Sequence, residues 1–109
     1  MHLYDPAGMP ELAEAPQASR PAVLVVENPP AARLLLFRIA PGQEVATHTS
    51  ASSVFISVLS GSGFLTGADG ERMVNAGVVA AFAPNEPHAM RADREELVLA
   101  AVVAPRPGG

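Results

Sequence analysis

The sequence predicts an all-β protein, one domain folded as a two-sheet sandwich or barrel. Three observations predict it. From residue 22 onward, Pro, Gly, Asn and Asp recur every several positions in turn-forming clusters. Between the clusters lie strand-length runs rich in Val, Leu, Ile and Phe. No window after residue 20 carries a convincing helical period. Eight or nine short strands spaced in this way are the pattern of a sandwich or barrel.

Residues 1–21 read as an extended leader. Pro6, Pro10 and Pro16 interrupt regular structure there, and 9–15 has room for one or two helical turns. The barrel then runs over 22–104. Its first strand, 22–27, is stopped by Asn28-Pro29-Pro30, and a longer one, 32–40, by Pro41-Gly42. Strands 44–49 and 54–59 flank a small polar corner, Ser50-Ala51-Ser52-Ser53, and Ser60-Gly61 ends the second of them. Strands 62–66 and 71–74 flank Gly67-Ala68-Asp69-Gly70, whose Asp-Gly step is a hairpin signal. After Asn75-Ala76-Gly77 comes strand 78–83, stopped by Pro84-Asn85-Glu86-Pro87. A short strand, 88–91, and a final one, 96–104, complete the set. Arg91, Asp93, Arg94, Glu95 and Glu96 read as a solvated loop between those two. Residues 105–109 read as a loose tail.

Composition narrows the function. A length of 109 residues with 49% hydrophobic content suits one domain with a real core. The net charge is -4 and all seven basic residues are arginines in no stripe, so a nucleic-acid partner is not expected. There is no cysteine, which excludes disulfides, thiolate metal sites and thiol nucleophiles. The N-terminus lacks the pattern of a signal peptide, and no apolar run approaches the roughly 20 residues of a membrane helix. The expectation is a cytoplasmic protein with no membrane partner. Mean hydropathy is high at +0.23. Strands 32–40 and 97–104 are apolar on both faces, Leu34 and Leu36 opposing Leu35, Phe37 and Ile39. The Pro-broken leader is not expected to cover the second face alone, so a homodimer is expected.

Chemistry concentrates at His48 and His88, each beside a Gly- or Pro-rich turn. Strand alternation puts Glu44, Ala46, His48 and Ser50 on one face. Val54, Ile56 and Val58 share another, and Val78, Ala80 and Phe82 a third. If these faces point inward, two imidazoles sit in an apolar cavity, the pattern of a small-ligand site. The expected lining is His48, Ser50, Val54, Ile56, Phe82 and His88. The histidines either anchor a ligand's carboxylate, carbonyl or hydroxyl, or are core residues satisfied by Ser50, Thr49 or a buried water. Arg33 and Arg38 sit on opposite faces of one strand. One of them can point into the barrel mouth and meet an acidic ligand, and parity alone does not say which. Met73 and Met90 read as pocket or core filler. No Ser-His-Asp order, phosphate loop or carboxylate pair is present, and Gly61-Ser62-Gly63 reads as a turn.

The spacing Gly42, five residues, His48, one, Ser50, three, Val54, six, Gly61 resembles the first motif of the cupin family. Gly77, Ala83, Asn85 and His88 resemble its second motif, and Pro84-Asn85-Glu86-Pro87-His88 looks like a cupin turn. The resemblance spans roughly 32–104. It implies a double-stranded β-helix, or jelly-roll barrel, with an internal pocket, often dimeric. Metal-binding cupins hold their ion with three histidines and a glutamate. His48 and His88 keep two of those places, while Ser50 and Val54 stand where a histidine and the glutamate belong. Two imidazoles alone bind a metal weakly, so the expected cofactor is none, or a weakly held divalent transition metal on His48 and His88. As a third ligand Glu44 is about 13 Å from His48 at strand rise. Glu86 stands closer, two residues before His88, or is simply a solvated turn residue; His2 could arrive only by way of the leader. Three functions stay open: a binder of a small organic molecule, a metal-dependent dioxygenase or isomerase using His48 and His88, and a non-catalytic oligomer-forming module.

Overall fold

The computed structural model describes residues 1–13 and 20–108. Pro16 and the end of the helical segment expected over 9–15 lie outside the described residues. Seven strands form the barrel: β1 (Ala22–Glu27), β2 (Arg33–Ile39), β3 (Glu44–His48), β4 (Ser53–Gly67), β5 (Gly70–Asn75), β6 (Val79–Phe82) and β7 (His88–Ala104). All pairings are antiparallel, in the order β1-β2-β7-β4-β5, with β3 added to β7 and β6 to β4.

Two pairs of expected strands are each one long strand. β4 joins 54–59 to 62–66, and β7 joins 88–91 to 96–104. The two pair with each other for most of their length and shift register together between Val58 and Ser60 and between Gly61 and Gly63. Such bulges bend a strand without ending its ladder. Gly61 has φ +79°, and a Cβ there would stand 1.6 Å from the Glu96 carbonyl oxygen. A Cβ on Gly63 would stand 2.3 Å from the Arg91 oxygen. Glycine marks a crease here, where the sequence pattern suggested a stop. The charged stretch expected as a loop therefore belongs to β7.

The crease makes two facing sheets from one strand pair. β1, β2 and β6 flank the C-terminal part of β7 and the N-terminal part of β4; β3 and β5 flank the other halves. In the first sheet, inward residues fall into rows set by register. Arg33, Val103, Val54 and Phe82 form the first row, and Leu35, Ala101, Ile56 and Ala80 the second. Phe37, Leu99 and Val58 form the third, and Ile39, Leu97 and Gly61 the fourth. Ile39, Leu97 and Leu99 are 0% exposed, so the core sits at the third and fourth rows.

The outer face of β2 is covered within the chain. A 3-10 turn over Pro6–Gly8 leads into a one-turn helix, α1 (Pro10–Ala13), that packs on β1 and β2. Leu12 and Leu36 are both buried, and Arg38 Nη1 donates to the Leu12 carbonyl. The Tyr4 hydroxyl donates to the Val26 carbonyl, and Tyr4 and His2 both meet the Glu27 carboxylate. The leader thus does more of the covering than its prolines suggested. The tail is held as well: Ser52 Oγ donates to the Pro105 carbonyl, and the Arg106 N–H and guanidinium donate to the Pro30 and Asn28 carbonyls. Among the described residues no helix is long and apolar enough to cross a membrane.

Candidate functional site

The first two rows, apart from their β6 residues Phe82 and Ala80, line a cavity of about 270 Å³ between the sheets. Its origin is a deficit of side-chain volume. Leu35 and Ile56 face Ala101 and Ala80, whereas the next row brings Phe37, Leu99 and Val58 together. Leu35, Phe37, Val54, Ile56, Met90 and Val103 give an apolar wall. Arg33, His48, Thr49, Ser50 and His88 supply its polar points, and Pro107 of the tail lies at the rim.

β3 and β7 bring the histidines together as paired residues, His48 opposite His88. Their ring centroids are 4.2 Å apart with planes at 62°. Each ring is fixed by its own strand: His48 Nδ1 lies 3.0 Å from the Ala46 carbonyl oxygen, and His88 Nδ1 lies 2.9 Å from that of Glu86. A carbonyl oxygen only accepts, so each Nδ1 carries a proton, and the nitrogen left to present a lone pair in the neutral form of either ring is Nε2. Among the described residues no buried side-chain nitrogen or oxygen is without a partner. The Nε2 of His88, a residue only 3% exposed, therefore opens on the cavity. His48 is the more exposed of the two.

Phe82, expected in the lining, stands behind it. Its ring stacks on His88 at 4.9 Å and 27° and supports that imidazole from the far side. Ser50, Val54 and Ile56 line the cavity as expected. Ser50 Oγ accepts from the Ser52 N–H, and the Ser50 carbonyl accepts from the Asn85 N–H at 2.6 Å. That second bond ties the turn before β4 to the turn before His88. Asn85 has φ 67°, a left-handed conformation that asparagine tolerates better than most residues.

The carboxylates considered as further ligands are committed elsewhere. Glu86 accepts from the Ala68 and Ala83 N–H groups, both at 2.9 Å, and joins two turns. Those bonds, that of Ala68 foremost, hold its carboxyl below the usual carboxylate range. Glu44 is exposed opposite Arg91 on β7, and His2 is on the outer side with Glu27. Among the described residues no group of three or more His, Asp or Glu side chains converges. The donor set at the cavity is two imidazoles, which does not make up the three-ligand zinc or two-His-one-carboxylate iron pattern.

Sequence reasoning left Arg33 and Arg38 undecided. Arg33 shares the inward face of Phe37 and Ile39 and lines the cavity. Arg38 is outside, in a bidentate pair with Glu96. Leu35, Phe37, Ala101, Val103 and Pro107 were not foreseen in the lining. For the first four, the usable signal is their parity with the most apolar positions of their strands.

The jelly-roll barrel defines a fold class, and on that the comparisons agree. The cupin domain model matches residues 35–104. The chain belongs to the cupin family. No curated protein matches the sequence. Among solved structures, it is similar to an uncharacterized conserved protein with a double-stranded β-helix domain from Klebsiella pneumoniae: 22% identity, TM-score 0.85, 100% of this chain and 94% of that one. It is similar to an RmlC-like cupin family protein from Methanocaldococcus jannaschii: 20% identity, TM-score 0.74, 84% and 86% covered. An RmlC-like cupin protein from Desulfovibrio desulfuricans shares 25% identity at TM-score 0.72, over 79% and 83%.

Proposed function

We propose that this cupin binds a small organic molecule in the cavity between its sheets, with the family's metal centre reduced to two imidazoles. The observation that carries the reading is the histidine pair, each Nδ1 turned to its own strand, set with a few other polar groups in a mostly apolar cavity. Its volume is below the roughly 300–1,000 Å³ of sites for drug-sized ligands, so one ring or a short branched chain suits it. That same pair favours a second reading, a metal-dependent enzyme of the dioxygenase or isomerase kind built on His48 and His88. Ser50 and Val54 count against it, because neither replaces the missing donors.

The reading includes a homodimer. Leu36 is already covered by the leader, so the apolar surface that invites a second copy is on β4 and β6. Phe55 is 44% and Val79 69% exposed, on the outer face with Leu59 and Val102. Burying such a face gains about 25 cal/mol per Å².

The test uses protein stripped with EDTA and desalted. Benzyl alcohol, followed by ligand-observed NMR, binds with Kd on the order of 1 mM, and Ala101→Leu, which fills the second row, abolishes binding. Elemental analysis before stripping finds well under one metal per chain. Light scattering gives twice 11.2 kDa for wild type, and 11.2 kDa for Phe55→Glu. Stoichiometric Fe, Mn, Ni or Zn, lost in His88→Ala, would transfer the case to the enzyme reading. Binding that is absent in wild type, or unchanged in Ala101→Leu, would sink the binding reading.

A further inference from the structure

We infer that the cavity's ligand is a small monocarboxylic acid with an apolar body and a hydroxyl or N–H donor at its far end, its carboxylate held by Arg33. The inference rests on the reading of the cavity as a binding site and adds the chemical class of its occupant.

Arg33 is the single permanently charged side chain among the cavity's described lining residues. It holds no carboxylate among the described residues, a state it shares with Arg94 and Arg106, and of these it alone lines the cavity. Arg38, Arg72 and Arg91 each hold a carboxylate, that of Glu96, Asp69 and Glu71 respectively. Arg33 Nε donates instead to a neutral acceptor, Asn28 Oδ1, at 2.9 Å. Its two Nη groups have no hydrogen-bond partner among the described residues. The bond to Asn28 steadies the guanidinium, and the free Nη groups are the donors that meet a carboxylate's two oxygens in parallel. Asn28 is itself pinned, because its carbonyl accepts from Arg106 of the tail.

The opposite wall wants the opposite partner. With each Nδ1 donating to a carbonyl, a neutral imidazole here has Nε2 as its acceptor, and an acceptor needs a hydroxyl or N–H from the ligand. Register gives the separation. Arg33, Val103, Val54 and Phe82 occupy one row across four strands, and Phe82 stacks on His88. Three strand spacings of about 4.8 Å put the backbones of Arg33 and Phe82, the ring on which His88 stacks, at opposite ends of a curved row of roughly 14 Å. Leu35, Ile56 and Ala101 leave apolar room between them. One cation, an apolar middle and two acceptors specify one negative charge, an apolar middle and a donor, in that order.

The test compares matched probes on the metal-stripped protein: 4-hydroxyphenylacetate, its neutral amide 4-hydroxyphenylacetamide, and 4-hydroxybenzylphosphonate. Wild type binds the acid at least about tenfold tighter than the amide, as a charge-assisted pair predicts. Arg33→Met removes that preference, so that acid and amide bind alike, and Arg33→Lys keeps part of it. Circular dichroism and thermal melting show each variant folded, and the conservative lysine variant serves if methionine does not fold. Equal binding of acid and amide by wild type, or an acid preference that survives Arg33→Met, overturns the inference. So does tighter binding of the phosphonate than of the carboxylate. All three of those outcomes leave the binding reading standing, since it is tested by benzyl alcohol, Ala101→Leu and metal content.

Discussion

The two ends of the barrel are built from the same strands, yet one is packed and the other hollow. Along β2, β7 and β4, Ile39, Leu97, Leu99 and Val58 meet at one end without exposed surface to spare. In the adjoining row, alanines face Leu35 and Ile56, and space remains. The strand order and pairing are continuous through both ends. Cavity size in this fold is therefore set by side-chain volume at a few inward positions, with topology held constant. The ends also differ in what holds them. Apolar burial closes the packed end. Around the hollow end the ties are polar: Asn85 to Ser50, Ser52 to Pro105, and Glu86 to two turns.

The largest effect belongs to the crease beside the packed end. Gly61→Ala puts a Cβ into the Glu96 carbonyl at a positive φ, and the atom it meets is backbone. A cost above about 3 kcal/mol is expected, by chemical denaturation, with loss of soluble protein at the upper limit. Gly42→Ala is the control. Its φ is +85°, but nothing lies within 4 Å, so it costs only the left-handed conformation, about 1–2 kcal/mol. Equal costs at the two positions would mean that β4 and β7 can part at the crease.

A middle-sized effect contrasts the two ends directly. Leu99→Ala opens a new void in the filled row and is expected to cost about 2–5 kcal/mol. Val54→Ala removes two methyls from a wall that already borders empty space. Only the transfer contribution is lost there, about 1–1.5 kcal/mol. Denaturation midpoints of the two variants measure the difference. Comparable losses would place packing at the hollow end on a par with the core.

The sequence made the fold legible because strand alternation and turn residues are local signals. The cupin spacing of Gly42, His48, Gly61 and His88 survives where the backbone needs it, as φ at Gly42 and Gly61 shows. Gly61 was harder, because a glycine that stops a strand and one that creases it look alike. Their difference is a partner 35 residues later, Glu96. Glu86 was misleading for a related reason. Its closeness to His88 along the chain suggested a ligand, while its actual partners are Ala83 of its own turn and Ala68 of the turn between β4 and β5. Arg33 was half legible. Parity separated it from Arg38, and only the burial of Phe37 and Ile39 on its face says which side is inside. The leader's role was half legible: the second apolar face of β2 called for a cover, from the leader or another copy, and nothing local said that Leu12 would supply it.

The smallest effect sharpens the contrast in what holds each end, and it is read against pH. Glu86 is partly exposed, and its carboxyl is held below the ordinary value of 4.5 first by the Ala68 N–H and then by that of Ala83. A group whose pKa is lowered in the folded state stabilises that state above its unfolded pKa. The stabilisation fades as pH falls through the folded pKa, because protonation weakens both N–H bonds. Thermal melts of wild type and Glu86→Gln should differ by a constant amount from pH 7 down to about pH 5. The gap should narrow below 4.5 and close below the lowered folded value. Glu27 and Glu71, lowered in the same direction by Tyr4 and Arg91, titrate in both proteins and cancel from the difference. Solvent screening at a partly exposed carboxylate keeps the gap modest. A gap of constant size down to pH 3 would mean that Glu86 acts through its shape, and that the hollow end is no more dependent on charge than the packed one.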